Sequence, residues 1–361
     1  MRRALALAAI LVAVAALLYA PQVLSRYGNF VLASWLVIAI AAMGVNLIMG
    51  YAGQESLAQA GFMGIGAYIT AHMLKGGSLA FDLFWIYPVV LTWTPFSMFS
   101  AIAASALATF LMGILIAFPS LRVQKHYLAF VTLAFTVFLW LVFRNEEWLT
   151  GGVFGIQDIK RPSVFGFEMS PSRRHYANFT YFVIAMTAIA AFVMWWIVHS
   201  PWGRAFTALR ENALRAESLG IDVTGYKLLA FAIGSAYGGI AGSLYAPLVE
   251  FIDPSPFALA PSLLFLLMIV VGGMGSLAGP FIGAAVAVVL PLFIEKWQSE
   301  LVANGFAIFS HFSYVIIFSI LVITTIAIAP RGLAGLFADL TKPRRRPHSD
   351  DKGARLGEVK S

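Results

Sequence analysis

Between Asp253 and Glu295 the chain reads PSPFALAPSLLFLLMIVVGGMGSLAGPFIGAAVAVVLPLFI, without a single Asp, Glu, Lys or Arg. A helix needs about 20 predominantly apolar residues to cross the hydrocarbon core of a bilayer. This run is too long for one crossing and suits two shorter ones. It breaks at its centre, Gly272-Gly273-Met274-Gly275-Ser276-Leu277-Ala278-Gly279-Pro280, where glycines and a proline interrupt the helical pattern. The expected segments are therefore 259–272 and 279–294. Charge-free gaps of spanning length also separate Arg3 from Arg26, Arg26 from Glu55, Arg174 from Arg204, Lys227 from Glu250, and Glu300 from Arg331. Lipid admits only helices and closed barrels, and barrel strands would alternate polar with apolar residues. The fold class expected is an all-α polytopic transmembrane bundle of eight to ten crossings, including the broken segment 259–294.

Composition agrees. The 361 residues are 60% hydrophobic and 11% charged, against about 45–50% and about 25% in soluble domains. Such a chain has too few charges to cover a water-soluble globule. It has no cysteine, which excludes disulfides, a thiol nucleophile and thiolate metal sites. Its six histidines are scattered, with no H-E-x-x-H pair, and no G-x-x-x-x-G-K-[ST] phosphate loop occurs. No catalytic residue, metal site or cofactor is expected in this chain. The net charge of +7 sits between apolar spans and in one tail, a distribution that orients a membrane protein rather than binding nucleic acid.

The expected spans are 4–20, 30–50, 56–74, 97–118, 126–143, 176–198, 225–249 and 306–329, besides the two named above. Arg2-Arg3 before an apolar run resembles a signal peptide, but 4–20 exceeds the usual h-region of about 7–15 residues and no clean A-x-A site closes it. A retained first span is expected. Ten crossings put Arg2-Arg3, the Arg122/Lys125 link, the 199–227 loop and the basic tail on one side, the cytoplasmic side by the positive-inside rule. Both termini are then cytoplasmic and 144–175 is external. The transmembrane domain is expected over 1–335. The charged tail 336–361 cannot bury a core and is expected to be disordered, its Lys/Arg cluster serving as a topology determinant rather than as a site for anionic lipid.

Three further segments carry polar or glycine-rich patterns. Residues 50–68 (Gly50-Tyr51-Ala52-Gly53-Gln54-Glu55-Ser56-Leu57-Ala58-Gln59 and onward) interrupt an apolar run with Gln54, Glu55 and Gln59. Polar groups at membrane depth are costly and mark cavities or paths, with helix–helix hydrogen bonding as the plain alternative. With Asn46 on the preceding span, they are candidates for a translocation path. So are Thr150, Gly151 and Gly152 in the external run 149–156, where glycines let backbone approach a ligand or simply turn. The third segment, 200–221, starts at Ser200-Pro201, stops at Gly220, and holds Arg210, Glu211, Asn212, Arg215 and Glu217. It is expected to be one charged, amphipathic, cytoplasmic helix, with Glu211 and Arg215 paired at i,i+4 and a partner docked on it.

These segments, taken with 272–280, resemble the permease family of ATP-binding-cassette importers for branched-chain amino acids, in the longer of its two permease types. The family's patterns G-Y-x-G-Q-x-S-L, L-T-G-G-x-x-G-I, S-x-x-G-R-A-x-x-A-x-R-E-N and G-G-x-G-S-x-x-G-P stand here in order, and the resemblance covers about 30–335. It implies a permease subunit working with a second permease, two ATPase subunits that bind the ATP, and a periplasmic substrate-binding protein, in a bacterial inner membrane. It also implies that 200–221 is the loop coupling the permease to the ATPase. Glu55 stands where the family usually has an apolar residue, Gln59 where His is common, and Val153-Phe154 where small polar residues are frequent. The family also includes permeases for urea, short amides and aromatic acids, so the solute stays open. An ion-gradient-driven transporter using Glu55 is the rival of a different class.

Overall fold

Each expected span between 30 and 294 stands on a helix in the computed structural model, which describes residues 15–83, 87–120, 125–159, 161, 173–303, 320, 324 and 332–335. Residues 15–23 are helical (α1). Then follow α2 (Arg26–Val45), α3 (Gln59–Lys75), α4 (Met98–Ser120), α5 (Lys125–Asn145), α6 (Glu147–Thr150), α7 (Arg173–His199), α8 (Pro201–Glu211), α9 (Ala213–Ser218), α10 (Val223–Val249), α11 (Leu259–Gly272) and α12 (Gly279–Ala303). Six of the described helices are long and apolar enough to cross a membrane, and Leu259–Gly272 is a shorter apolar one. Most of the expected spans 4–20 and 306–329, and the whole 336–361 tail, lie outside the described residues.

Local signals place the helix ends. Ser25 accepts the Gly28 N–H at the start of α2, and Asp222 accepts that of Gly225 at the start of α10. Both are N-caps supplying an acceptor that the first helical turn lacks.

Helix α10 is the axis of the bundle and packs on α2, α3 and α4. Its Gly234, Gly238 and Gly242, four residues apart, form the small-residue stripe that lets membrane helices approach closely. A Cβ at Gly242 would stand 1.9 Å from the Met63 carbonyl oxygen, so α3 and α10 touch backbone to backbone there. Hydroxyls join α3, α4 and α10. Thr70 donates to Ser243 at 2.6 Å and lies 3.0 Å from Ser105, all three fully buried.

One element departs from an all-helical reading. The link between α3 and α4 holds an antiparallel hairpin, β1 (Gly77–Leu83) and β2 (Tyr87–Trp93), in register from Gly77 opposite Trp93 to Leu83 opposite Tyr87. Val89-Val90-Leu91-Thr92 is a strand-prone run, too short to show its period against helical neighbours. The Phe96 N–H donates to the Met73 carbonyl at 2.9 Å, returning the chain to the end of α3.

Candidate functional site

Helix α2 does not end cleanly. Residues Asn46–Tyr51 wind into a π-helical turn, followed by an irregular stretch before α3 starts at Gln59. Such a turn leaves carbonyls and N–H groups that a bilayer cannot satisfy, so neighbouring helices must do so. The Leu57 N–H donates to Thr132 Oγ1 at 3.0 Å, and Thr136 Oγ1 donates to the Leu57 carbonyl at 2.7 Å. The Ala60 N–H donates to Ser262 Oγ at 3.1 Å. Thus α5 and α11 clasp the unwound backbone from two sides. Sequence reading missed Thr132, Thr136 and Ser262; the only signal was a Thr pair at i,i+4 on an otherwise apolar helix.

The polar residues singled out in the sequence divide the work around this break. Gln54 is buried and donates from Nε2 to the Lys227 carbonyl at 3.0 Å, at the start of α10. Gln59, also buried, donates to the Ala41 carbonyl at 2.8 Å, stitching α3 to α2. Asn46 reaches the second break: Oδ1 accepts the Gly275 N–H at 2.8 Å, and Nδ2 donates to the Ser276 carbonyl at 2.8 Å. Glu55 alone of the four is exposed.

The segment 200–221 is two helices rather than one. Asn212 adopts extended backbone (φ −160°, ψ 107°), ending α8, and its Oδ1 accepts the Arg215 N–H at 3.1 Å to start α9. Asn212 prefers the cap because its side chain competes with helical hydrogen bonding. The break separates Glu211 from Glu217 and from Arg215; among the described residues Glu211 and Arg215 make no ion pair. Phe206 and Leu209 of α8 are buried, with the Phe206 ring edge-on to Tyr226 at 6.1 Å, so this helix lies against the start of α10. Leu214 and Leu219 face outward, 77% and 80% exposed, beside the exposed Glu211, Arg215 and Glu217. Arg210 Nη1 donates to the Gly50 carbonyl in the π turn. Gly220 holds a left-handed turn (φ +81°) into α10.

Thr150, Gly151 and Gly152 stand at the other end of the bundle. Thr150 Oγ1 donates to the Phe143 carbonyl at 2.6 Å, and Gly151 and Gly152 hold φ of +74° and +61°. The loop then pairs Ile156 with Ile252, beyond the end of α10. Lys227 lies near the start of α10 and Ile252 just beyond its end, so at about 1.5 Å per residue the helix separates this loop from Gln54 by roughly 35 Å. The structure therefore divides the path candidates between two ends. An open cavity of about 420 Å³ lies at the Thr150 end, walled in part by Arg26, Tyr27, Phe30 and Val249. Among the described residues no cluster of His, Asp or Glu is arranged to hold a metal.

Residues 27–325 match the family model described as branched-chain amino acid transport system, permease component. The chain is 32% identical over 288 residues to the high-affinity branched-chain amino acid transport system permease protein LivM of Salmonella typhimurium, covering 74% of this chain and 64% of that protein. The LivM protein of Escherichia coli K12 is 33% identical over 273 residues, covering 70% and 60% respectively. The match thus spans less than two-thirds of these relatives' own length. The autoinducer 2 import system permease protein LsrC of an Enterobacter species is 27% identical over 221 residues, covering 58% of this chain and 60% of that one. No solved structure matches.

Proposed function

The chain belongs to the branched-chain amino acid transport permease family, and we propose that it is the membrane-spanning permease subunit of an ATP-driven importer. The solute is a branched-chain or other hydrophobic amino acid. Its partners are a second permease, two ATPase subunits and a periplasmic substrate-binding protein, and the membrane is the bacterial inner membrane, with both chain termini cytoplasmic. The chain performs no covalent chemistry; ATP is hydrolysed on the ATPase subunits.

One observation carries this reading. Leu214 and Leu219 project from α9 among charged residues, while the opposite side of α8 and α9 (Phe206, Leu209, Ala216) is buried against the bundle. Large apolar side chains exposed together beyond the bundle mark a surface that a partner covers. An ATPase subunit seated there would push on a segment whose Arg210 touches the π turn of α2. Substrate would enter from the Thr150 end and leave past Gln54, Glu55 and Gln59.

The test is reconstitution of the full assembly in liposomes, with the binding protein outside and ATP inside. Uptake of labelled leucine that requires both ATP and the binding protein is expected. Uptake driven by a proton or sodium gradient without ATP would overturn the reading in favour of a secondary transporter.

A further inference from the structure

We propose that Asn46 is a positioning residue that locks the two broken membrane segments together and, with Arg210, makes them move as one unit with the segment that docks the ATPase. The inference rests on the function proposed above and assigns its transmission step to named side chains.

Asn46 is 1% exposed and spends both ends of its amide on one dipeptide 229–230 residues away: Gly275 donates to Oδ1 and Ser276 accepts from Nδ2. Two bonds to adjacent peptide groups fix the orientation of the 273–278 turn, not merely its distance. Arg210 adds the third strand of the link by donating to the Gly50 carbonyl. That carbonyl sits at the end of the π turn, where a helix terminus has no partner of its own. Gly50 and Gly275 lie between Asn46 and Arg210. A Cβ at Gly50 would lie 2.2 Å from Asn46 Oδ1 and 2.5 Å from the Gly275 nitrogen, and a Cβ at Gly275 would lie 2.7 Å from Arg210 Nη1. Gly275 also holds φ +74°, a backbone state that L side chains rarely adopt.

The connection runs through few bonds. From the exposed segment, motion reaches α2 at Gly50 through Arg210, and the α11–α12 turn at Gly275 and Ser276 through Asn46. A π turn is a break that can change register at low cost, and the α11–α12 turn is hinged on positive-φ glycines at 273 and 275. Both breaks are therefore deformable, and Asn46 makes them deform together. Any apolar residue of similar volume would fill the space; only the amide joins the two backbones.

The chain lacks cysteine, so Met274→Cys places a single reporter at the tip of the turn, where Met274 is 46% exposed. In the reconstituted assembly, thiol modification of this reporter is compared with and without ATP, alongside leucine transported per ATP hydrolysed. In the parent, ATP should change the modification rate. In Asn46→Ala and in Arg210→Ala the rate should stop responding to ATP, and leucine per ATP should fall about tenfold. ATPase subunits should still co-purify. Because the two residues act in series, the double variant should be no worse than either single one. Arg210 is exposed, so Arg210→Ala carries the same readouts if Asn46→Ala does not assemble. An ATP response retained in the single variants, or losses that multiply in the double one, overturns the proposal. Absence of ATP-dependent uptake in the parent overturns the function itself, and is distinguished because it appears before any substitution.

Discussion

Arg161 and Glu250 form an ion pair at 3.1 Å that closes the end of α10. Arg161 Nε also donates to the Pro247 carbonyl at 2.9 Å, and Nη2 donates to that of Leu248 at 3.1 Å. Glu250 sits at φ +62°, the left-handed state in which helices commonly end. The guanidinium lies 5.0 Å above the Phe179 ring of α7. One cation thus satisfies carbonyls the helix leaves open and ties a loop, α7 and α10 together at the end opposite α8 and α9.

Removing that cation should be costly. Breaking a fully buried pair costs about 3–5 kcal/mol, and stranded carbonyls about 1–3. The Arg161 side chain is 3% exposed but that of Glu250 is 37% exposed and can turn to water, so Arg161→Ala should lose roughly 2–3 kcal/mol. Thermal unfolding in detergent should show a lowered midpoint. Arg161→Lys should recover little of it, because an ammonium cannot span two carbonyls and a carboxylate as a planar fork does.

Sidedness follows from the two ends of α10. Phe154 is 81% exposed at one end and Leu214 77% at the other. Single cysteines there should react with a membrane-impermeant thiol reagent from opposite sides, Phe154→Cys from outside and Leu214→Cys from inside. Reaction from one side only would reverse the assignment of the docking segment to the cytoplasm.

The docking surface should be sensitive to charge. Glu217 is exposed on α9 between Leu214 and Leu219, and Glu217→Lys would place an unmatched charge in a desolvated interface, at a cost of about 2–5 kcal/mol. Pull-down of the ATPase subunit and substrate-stimulated hydrolysis should both collapse, with permease abundance in the membrane unchanged. Undiminished pull-down would remove α9 from the interface.

Glu55 offers a separate test of the path. It is exposed in the stretch between Tyr51 and Gln59 while Gln54 and Gln59 are buried. Glu55→Gln should change the rate of leucine uptake while leaving ATPase pull-down and thermal stability at parental values. An unchanged rate would place Glu55 outside the path.

Two glycines should separate close packing from backbone strain. At Gly242 a Cβ would meet the Met63 carbonyl oxygen at 1.9 Å and the Ala67 nitrogen at 2.8 Å. Gly242→Ala should therefore force α3 and α10 apart and cost about 1–3 kcal/mol or more. Gly220 has nothing within 4 Å but holds φ +81°, so Gly220→Ala should cost only the left-handed penalty of about 1–2 kcal/mol. The larger drop in unfolding temperature belongs to Gly242.

What the chain order settles by itself is the place of its long apolar helices between 30 and 294. A bilayer imposes a length of about 20 residues and excludes charge, so gaps such as Lys227 to Glu250 announce α10 without help from any distant residue. The break at 272–280 is equally local, because Gly273, Gly275 and Pro280 act on their own backbone. The same chemistry flagged Asn46, Gln54 and Gln59 as polar groups in an apolar setting, but not what they hold. Their partners (Gly275 and Ser276, the Lys227 carbonyl, the Ala41 carbonyl) are mostly backbone groups, and every residue has those. Partner identity was therefore invisible until the helices packed. For the same reason Thr132, Thr136, Ser262 and Arg161 gained roles only in three dimensions, and Asn212 divided a segment that reads as one helix. Local physics decides where the chain can lie in the membrane; tertiary packing decides which unsatisfied carbonyl each polar side chain serves.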